Sequence, residues 1–167
     1  MTNIKILEWN INQRSCENSS FPEYVITEIS RKNPDVIVLV EFKGEHNRSR
    51  LDSAFSERYY TYSYNGSQYT SVNGNIKTGN GIYMELKKSI FNEPSPEEIT
   101  WEESFKDKQP NWLKIKSTIK TGKELTIIGV RVKVGSKHEK KELNDRKSQI
   151  NWLLKENKQT KRQIIIG

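Results

Sequence analysis

The densest run of apolar positions in the chain, Val36-Ile-Val-Leu-Val40, lies between Asn33-Pro34-Asp35 and a charged stretch that opens with Glu41. Five consecutive β-branched or aliphatic residues predict a strand buried on both faces, and such a strand belongs inside a layered α/β domain. A second strand is predicted over residues 4–12, Ile-Lys-Ile-Leu-Glu-Trp-Asn-Ile-Asn, and it too ends in polar residues. Between the two, Phe21, Val25 and Ile29 recur at helical spacing. Ser20-Phe-Pro-Glu23 has the form of a capping box, and Asn33-Pro34 ends the helix. Strand, helix and strand in this order make a βαβ unit, which runs its strands parallel and brings both carboxyl ends to one edge.

Farther along, residues 43–50 read as a charged loop carrying His46, a surface residue in that setting, with a short helix around Leu51, Ala54 and Phe55. Tyr59-Tyr-Thr-Tyr-Ser-Tyr64 reads as a strand with a partly wet face, its aromatics free either to pack under a neighbouring layer or to stack on bases. Residues 65–80, with Gly66, Gly74 and Gly79, form a long connection of the kind that borders sites, and residues 81–86 resume as a strand. Residues 92–111, with Pro94, Pro96 and Pro110, read as irregular. Residues 112–119 and 124–134 alternate with period 2 around Thr121-Gly122, a β-hairpin. Residues 137–157 predict the longest helix, with Leu143, Ile150, Leu153 and Leu154 as its apolar stripe. Gln163-Ile-Ile-Ile-Gly167 reads as a final, all-buried strand.

At 167 residues the chain is expected to form one domain. Its hydrophobic content of 33%, charged content of 29% and mean hydropathy of -0.84 describe a molecule with much polar surface. No segment approaches the roughly 18 to 20 apolar residues of a membrane span, and the amino terminus lacks the layout of a secretion signal, so a cytoplasmic protein is expected. A single cysteine, Cys16, excludes an intramolecular disulfide and a cysteine-built metal cluster. Any metal must therefore take oxygen or imidazole ligands. The formal charge of +7 leans toward a polyanionic partner. Yet the basic residues are interleaved with acids, as in Lys137-His-Glu-Lys-Lys-Glu142, the pattern of a solvated helix face.

Glu41 stands where the buried strand leaves its sheet, and ligands collect at the carboxyl ends of parallel strands. A strand can also end on Glu simply because a solvated loop begins there. The first strand adds weight to the functional reading. With period 2, Asn10 and Asn12 share a face, and parallel pairing puts Asn10 and Glu41 within reach of one cation.

Five blocks in order resemble the endonuclease/exonuclease/phosphatase superfamily. Ile6-Leu-Glu-Trp-Asn-Ile-Asn12 is similar to its "sWNi" opening, and Asn33-Pro-Asp-Val-Ile-Val-Leu-Val-Glu41 to its "PDilcLQE" strand, with Val40 in the usual Gln position. Gly79-Asn-Gly-Ile-Tyr83 resembles its "G.Gvai" strand, residues 125–132 the strand at its "NtHl" motif, and Arg146-Lys-Ser-Gln149 its R..Q helix. The resemblance implies a four-layer α/β/β/α sandwich (DNase I-like) that hydrolyses phosphodiester bonds, most readily in nucleic acid, with Mg²⁺ or Mn²⁺. It implies Glu41 as metal ligand, Asn10 as a catalytic residue helping to hold the metal or phosphate, and Asn12 and Arg131 as substrate contacts.

The same comparison of motifs shows departures. Gly129-Val-Arg-Val132 puts Arg131 where the family has His; a guanidinium clamps phosphate but takes no part in proton transfer near neutral pH. Gly167 stands where the "GDfN" motif would begin, and neither that motif nor the later Asp-His pair is present. Neither His46 nor His138 is in a matching context. The expectation is a domain shortened at its C-terminal end, weakly active or inactive alone, self-associating through an exposed sheet face. The alternative is a non-catalytic module that binds metal or polyanions on the same scaffold.

Overall fold

The computed structural model describes residues 3–11, 20–64, 68–70, 76–78, 81–97, 111–132, 140–158 and 162–167. Asn12, Cys16 and His138 lie outside the described residues. The predicted βαβ unit opens the fold. Strand β1 (Ile6–Asn10) leads through α1 (Tyr24–Lys32) to β2 (Val36–Phe42), and β1 and β2 pair in parallel with Asn10 opposite Val40. Asn33 ends α1 in the left-handed conformation (φ 44°), its N–H donating to the Ile29 carbonyl, and Pro34 blocks continuation. The capping box does not form. Glu23 caps the backbone without a side-chain bond, its carboxylate accepting instead from Arg50, while Ser20 lies near His46.

The first sheet has the order β1-β2-β6-β3, with β3 (Tyr59–Tyr64) and β6 (Gly81–Lys87) both antiparallel to their neighbours. One face of it, carrying Ile37, Leu39 and Tyr83, packs under α1 and α2 (Glu45–Phe55) through Val25, Ile29, Leu51 and Phe55. Helix α2 occupies most of the stretch read as a charged loop. Leu51 and Phe55 with buried Asn47 define an inner face at helical spacing, which the dense charge of residues 43–50 hides. Residues 65–80 hold a short antiparallel ribbon, β4 (Gln68–Thr70) with β5 (Ile76–Thr78), inside the predicted connection.

The second sheet runs β10-β9-β8-β7. The predicted hairpin is β8 (Asn111–Thr118) and β9 (Glu124–Arg131), and its turn carries Gly122 at φ 89°, open to glycine without strain. The proline-rich stretch contributes a three-residue edge strand, β7 (Ser95–Glu97), antiparallel to β8. Strand β10 (Gln163–Ile166) pairs in parallel with β9 and is half-buried, since it forms the sheet's other edge.

The two sheets face one another. Val36, Val38, Val40, Ile82, Met84 and Leu86 of the first sheet pack against Ile115, Leu125 and Ile127 of the second. Approach is close at Gly129, where a Cβ would come 2.9 Å from the Ile82 side chain and 3.3 Å from that of Val38. Helix α3 (Lys140–Glu156) covers the outer face of the second sheet, completing the four-layer α/β/β/α order. Its buried face differs from the predicted stripe: Gln149, Trp152 and Leu153 point inward, while Leu143, Ile150 and Leu154 are exposed. Trp152 carries the largest apolar surface on the helix and sets its rotation, its ring 5.5 Å from that of Trp112.

Candidate functional site

Parallel pairing puts the carboxyl ends of β1 and β2 together in one sheet and those of β9 and β10 together in the other, and the Arg131–Glu41 contact brings the β9 and β2 ends to one edge of the sandwich. Glu41 is placed there by a break in the β2–β6 ladder. Val40 pairs with Ile82 and Phe42 with Gly81, so Glu41 is the extra residue of a β-bulge, at φ 57°. A left-handed backbone at a non-glycine residue is strained, and such strain concentrates at sites where a side chain must be aimed. The extra residue also reverses the phase of the strand: Phe42 turns to the helix-side core instead of joining Val36, Val38 and Val40 between the sheets.

Arg131, the last residue of β9, reaches Glu41 from the opposite sheet. Two and four residues before it, Gly129 and Ile127 face the first sheet, and by alternation Arg131 does so too. Its Nε donates a charge-assisted hydrogen bond to Glu41 Oε1 at 3.0 Å, and Nη2 makes an ion-pair contact with the same oxygen, also at 3.0 Å. The side chains are 16% (Glu41) and 20% (Arg131) exposed, shielded yet open to a ligand.

Asn10 is exposed at the end of β1, opposite Val40 and so beside the bulge. The Ile11 N–H donates to the Val40 carbonyl at 3.2 Å and fixes how the chain leaves β1. A cavity of about 260 Å³ borders Asn10, lined by Trp9, Phe21, Pro22 and Tyr24 among others. The structure thus brings Asn10, Glu41 and Arg131 to one edge; Asn12 lies outside the described residues. Gly167 follows β10 against β9, where a Cβ would meet the Val130 carbonyl oxygen at 1.9 Å.

His46 falls in the first turn of α2, exposed, with Nε2 3.0 Å from Ser20 Oγ. No group of three or more His, Cys, Asp or Glu side chains poised to share a metal occurs among the described residues. Any ion at this edge would rest on Glu41 and Asn10, with water and substrate supplying the remaining ligands. A hard divalent cation accepts such an arrangement, an anionic carboxylate beside a carboxamide.

A second acidic cluster went unnoticed in the sequence. Glu85 of β6 is fully buried on the face under α2, where the Tyr83 hydroxyl bonds it tightly and also lies 3.1 Å from Asp52 Oδ1. Burial pushes the Glu85 carboxyl up to about 8, with the nearby Asp52 charge adding to the rise. Burial and the same two carboxylates raise the Tyr83 phenol as well. One signal was available: an acid in the middle of an apolar strand, two residues after a tyrosine and therefore on the same face.

Neither a protein-family profile nor a curated protein matches the chain. Solved structures do. D. rerio TDP2 complexed with a single-strand DNA product aligns with a TM-score of 0.65 and 17% identity over 97% of this chain. The human Nocturnin catalytic domain with bound sulfate anion gives 0.66 and 15% over 97%. ANGEL2, a 2',3'-cyclic phosphatase, in complex with adenosine-2',3'-vanadate gives 0.56 and 15% over 76%. This chain spans 58% of the TDP2 chain, 62% of the Nocturnin chain and 40% of the ANGEL2 chain. All three are members of the endonuclease/exonuclease/phosphatase superfamily, and the chain has that superfamily's fold.

Proposed function

We propose that this fold serves metal-dependent hydrolysis of phosphodiester bonds in nucleic acid, with Glu41 and Asn10 holding Mg²⁺ or Mn²⁺ at the shared strand edge. The observation that carries the reading is Glu41 itself, lifted out of its ladder at φ 57° beside Asn10 and opposite Arg131. The single-strand DNA product in the TDP2 structure and the positive charge of this chain support nucleic acid as the substrate class.

Bound there, a divalent ion would polarise the phosphoryl oxygen and stabilise the charge that develops as water attacks. Asn10 offers its carboxamide oxygen to the ion or its N–H₂ to a phosphate oxygen. Arg131 clamps the phosphate through parallel N–H donors, and Asn12, which follows β1, is assigned a substrate contact. Arg131 remains protonated throughout and contributes charge and direction rather than proton transfer. Among the described residues the one imidazole, His46, is paired with Ser20, so the proton of the attacking water lacks an evident acceptor. Slow turnover by this chain alone is the expectation.

The reading is tested with a 5′-labelled single-stranded oligonucleotide and Mn²⁺, against a chelated control. Slow, metal-dependent release of labelled fragments by the native chain, lost in Glu41→Ala, is the expected result. Cleavage that ignores both chelation and Glu41→Ala would refute it. Metal-dependent binding that needs Glu41 and yields no product would favour the non-catalytic module, a reading supported by the Arg131 guanidinium in place of an acid–base group.

A further inference from the structure

Arg131 already occupies the carboxylate that the proposed metal needs. We infer that Arg131 is a transferable counter-ion, resting on Glu41 and passing to an incoming phosphate, so that oxyanion and divalent cation bind cooperatively. The inference rests on the proposed role of Glu41 as metal ligand and adds a mechanism for loading it.

Nε and Nη2 of Arg131 both sit 3.0 Å from the same oxygen, Oε1, so the pair is a side-on contact rather than a fork meeting two oxygens. The Nε–H is donated to Glu41, and the Nη1 and Nη2 groups carry the further donors that another oxyanion would take. A guanidinium cannot shed its charge, so the cation must either share the carboxylate with a divalent ion or withdraw from it. Sharing is costly, since two like charges would meet at one shielded oxygen. Withdrawal is favourable only when another anion receives the guanidinium.

A phosphate oxyanion at this edge supplies that anion. The side chain starts from β9 and the carboxylate from β2, so the contact spans the two sheets and breaks by side-chain rotation, leaving both ladders intact. With Arg131 on phosphate, Glu41 regains its full negative charge for the metal, and by reciprocity a bound metal frees Arg131 for phosphate. Metal loading then becomes conditional on substrate. The Mg²⁺ or Mn²⁺ site would stay weak until a phosphodiester arrives.

The test is Mn²⁺ binding, followed by calorimetry and by the Mn²⁺ paramagnetic resonance signal, with and without inorganic sulfate at matched ionic strength. The native chain is expected to bind Mn²⁺ roughly tenfold tighter with sulfate, within the range of about 5- to 150-fold usual for coupled sites. Arg131→Gln should bind Mn²⁺ about as tightly without sulfate as the native chain does with it, and lose the sulfate response. Arg131→Lys, which keeps the charge and guards against misfolding of the neutral variant, should retain weak binding and part of the response. Circular dichroism and thermal melts confirm that each variant is folded.

Equal Mn²⁺ affinity with and without sulfate, together with loss of binding in Glu41→Gln, would overturn the linkage and leave the metal site standing. Arg131→Lys binding Mn²⁺ as tightly as Arg131→Gln would also overturn it, because charge would then be irrelevant. Mn²⁺ binding unaffected by Glu41→Gln would overturn the linkage and the proposed metal site together.

Discussion

Glu41 and Glu85 stand on neighbouring antiparallel strands of one sheet, and their surroundings are opposite. Glu85 sits mid-strand, fully buried, sharing the Tyr83 hydroxyl with Asp52, and its carboxyl is pushed up to about 8. Glu41 sits at the strand end on a bulge, partly open, with a guanidinium on one oxygen. A search for perturbed acids would select Glu85; a search for ligand access selects Glu41. Perturbed groups mark function only where a ligand can reach them, and Glu85 is fully buried, linked through Tyr83 to Asp52 of α2. Its role is structural, joining strand and helix through a polar contact.

The sharpest test of the comparison is pH. Glu85 has a folded-state value of about 8, above the ordinary carboxylate value of 4.5 that it regains on unfolding. Between these values the native state holds one proton more, so stability contributed below about pH 4.5 is lost as pH rises through 8. The loss is on the order of 2 to 4 kcal/mol across that window. Urea unfolding at pH 5 and pH 8.5 should show it, and Glu85→Gln should flatten the profile while leaving Mn²⁺ binding unchanged. Parallel profiles for the two proteins would place Glu85 in a solvated setting and dissolve the contrast. A smaller effect is expected for Tyr83→Phe, which removes the donor shared by the two carboxylates. It should cost about 1 to 3 kcal/mol in unfolding free energy, again without moving the Mn²⁺ isotherm.

Much of the candidate site was legible because two periodicities and one handedness rule determine it. Strand patterns at 4–12 and 36–40 with a helix between them place Asn10 beside the end of β2 from the sequence alone. Arg131 was legible as a motif position only. Its contact with Glu41, 90 residues away in sequence, depends on how two sheets stack, and strand alternation says nothing about which ends coincide. The bulge left no trace at all, since Glu41 is neither Gly, Asn nor Asp, the residues that announce a positive φ. Helix α3 misled for a different reason. The predicted stripe joins Leu143, Ile150, Leu153 and Leu154, while the packing of Trp152 on Trp112 goes with a face that keeps only Leu153 of them inside. The exposed Leu143, Ile150 and Leu154 are the apolar residues that such a stripe places inside.

The smallest effect probes the bulge directly. Glu41→Gly and Glu41→Ala both delete the carboxylate and leave Arg131 without its partner, so the difference between them isolates the backbone at φ 57°. In an ordinary strand glycine is the less stable of the two by roughly 0.5 to 1 kcal/mol. At a left-handed position the order reverses, because alanine keeps the Cβ that clashes there, at about 1 to 2 kcal/mol, and glycine does not. Glu41→Gly should therefore unfold at higher urea than Glu41→Ala by about 1 kcal/mol, with both variants losing Mn²⁺ affinity. Alanine the more stable would mean that the backbone relaxes to an extended strand. The carboxylate would then owe its position to the Arg131 contact rather than to the bulge, and Glu41 would differ from Glu85 in burial alone.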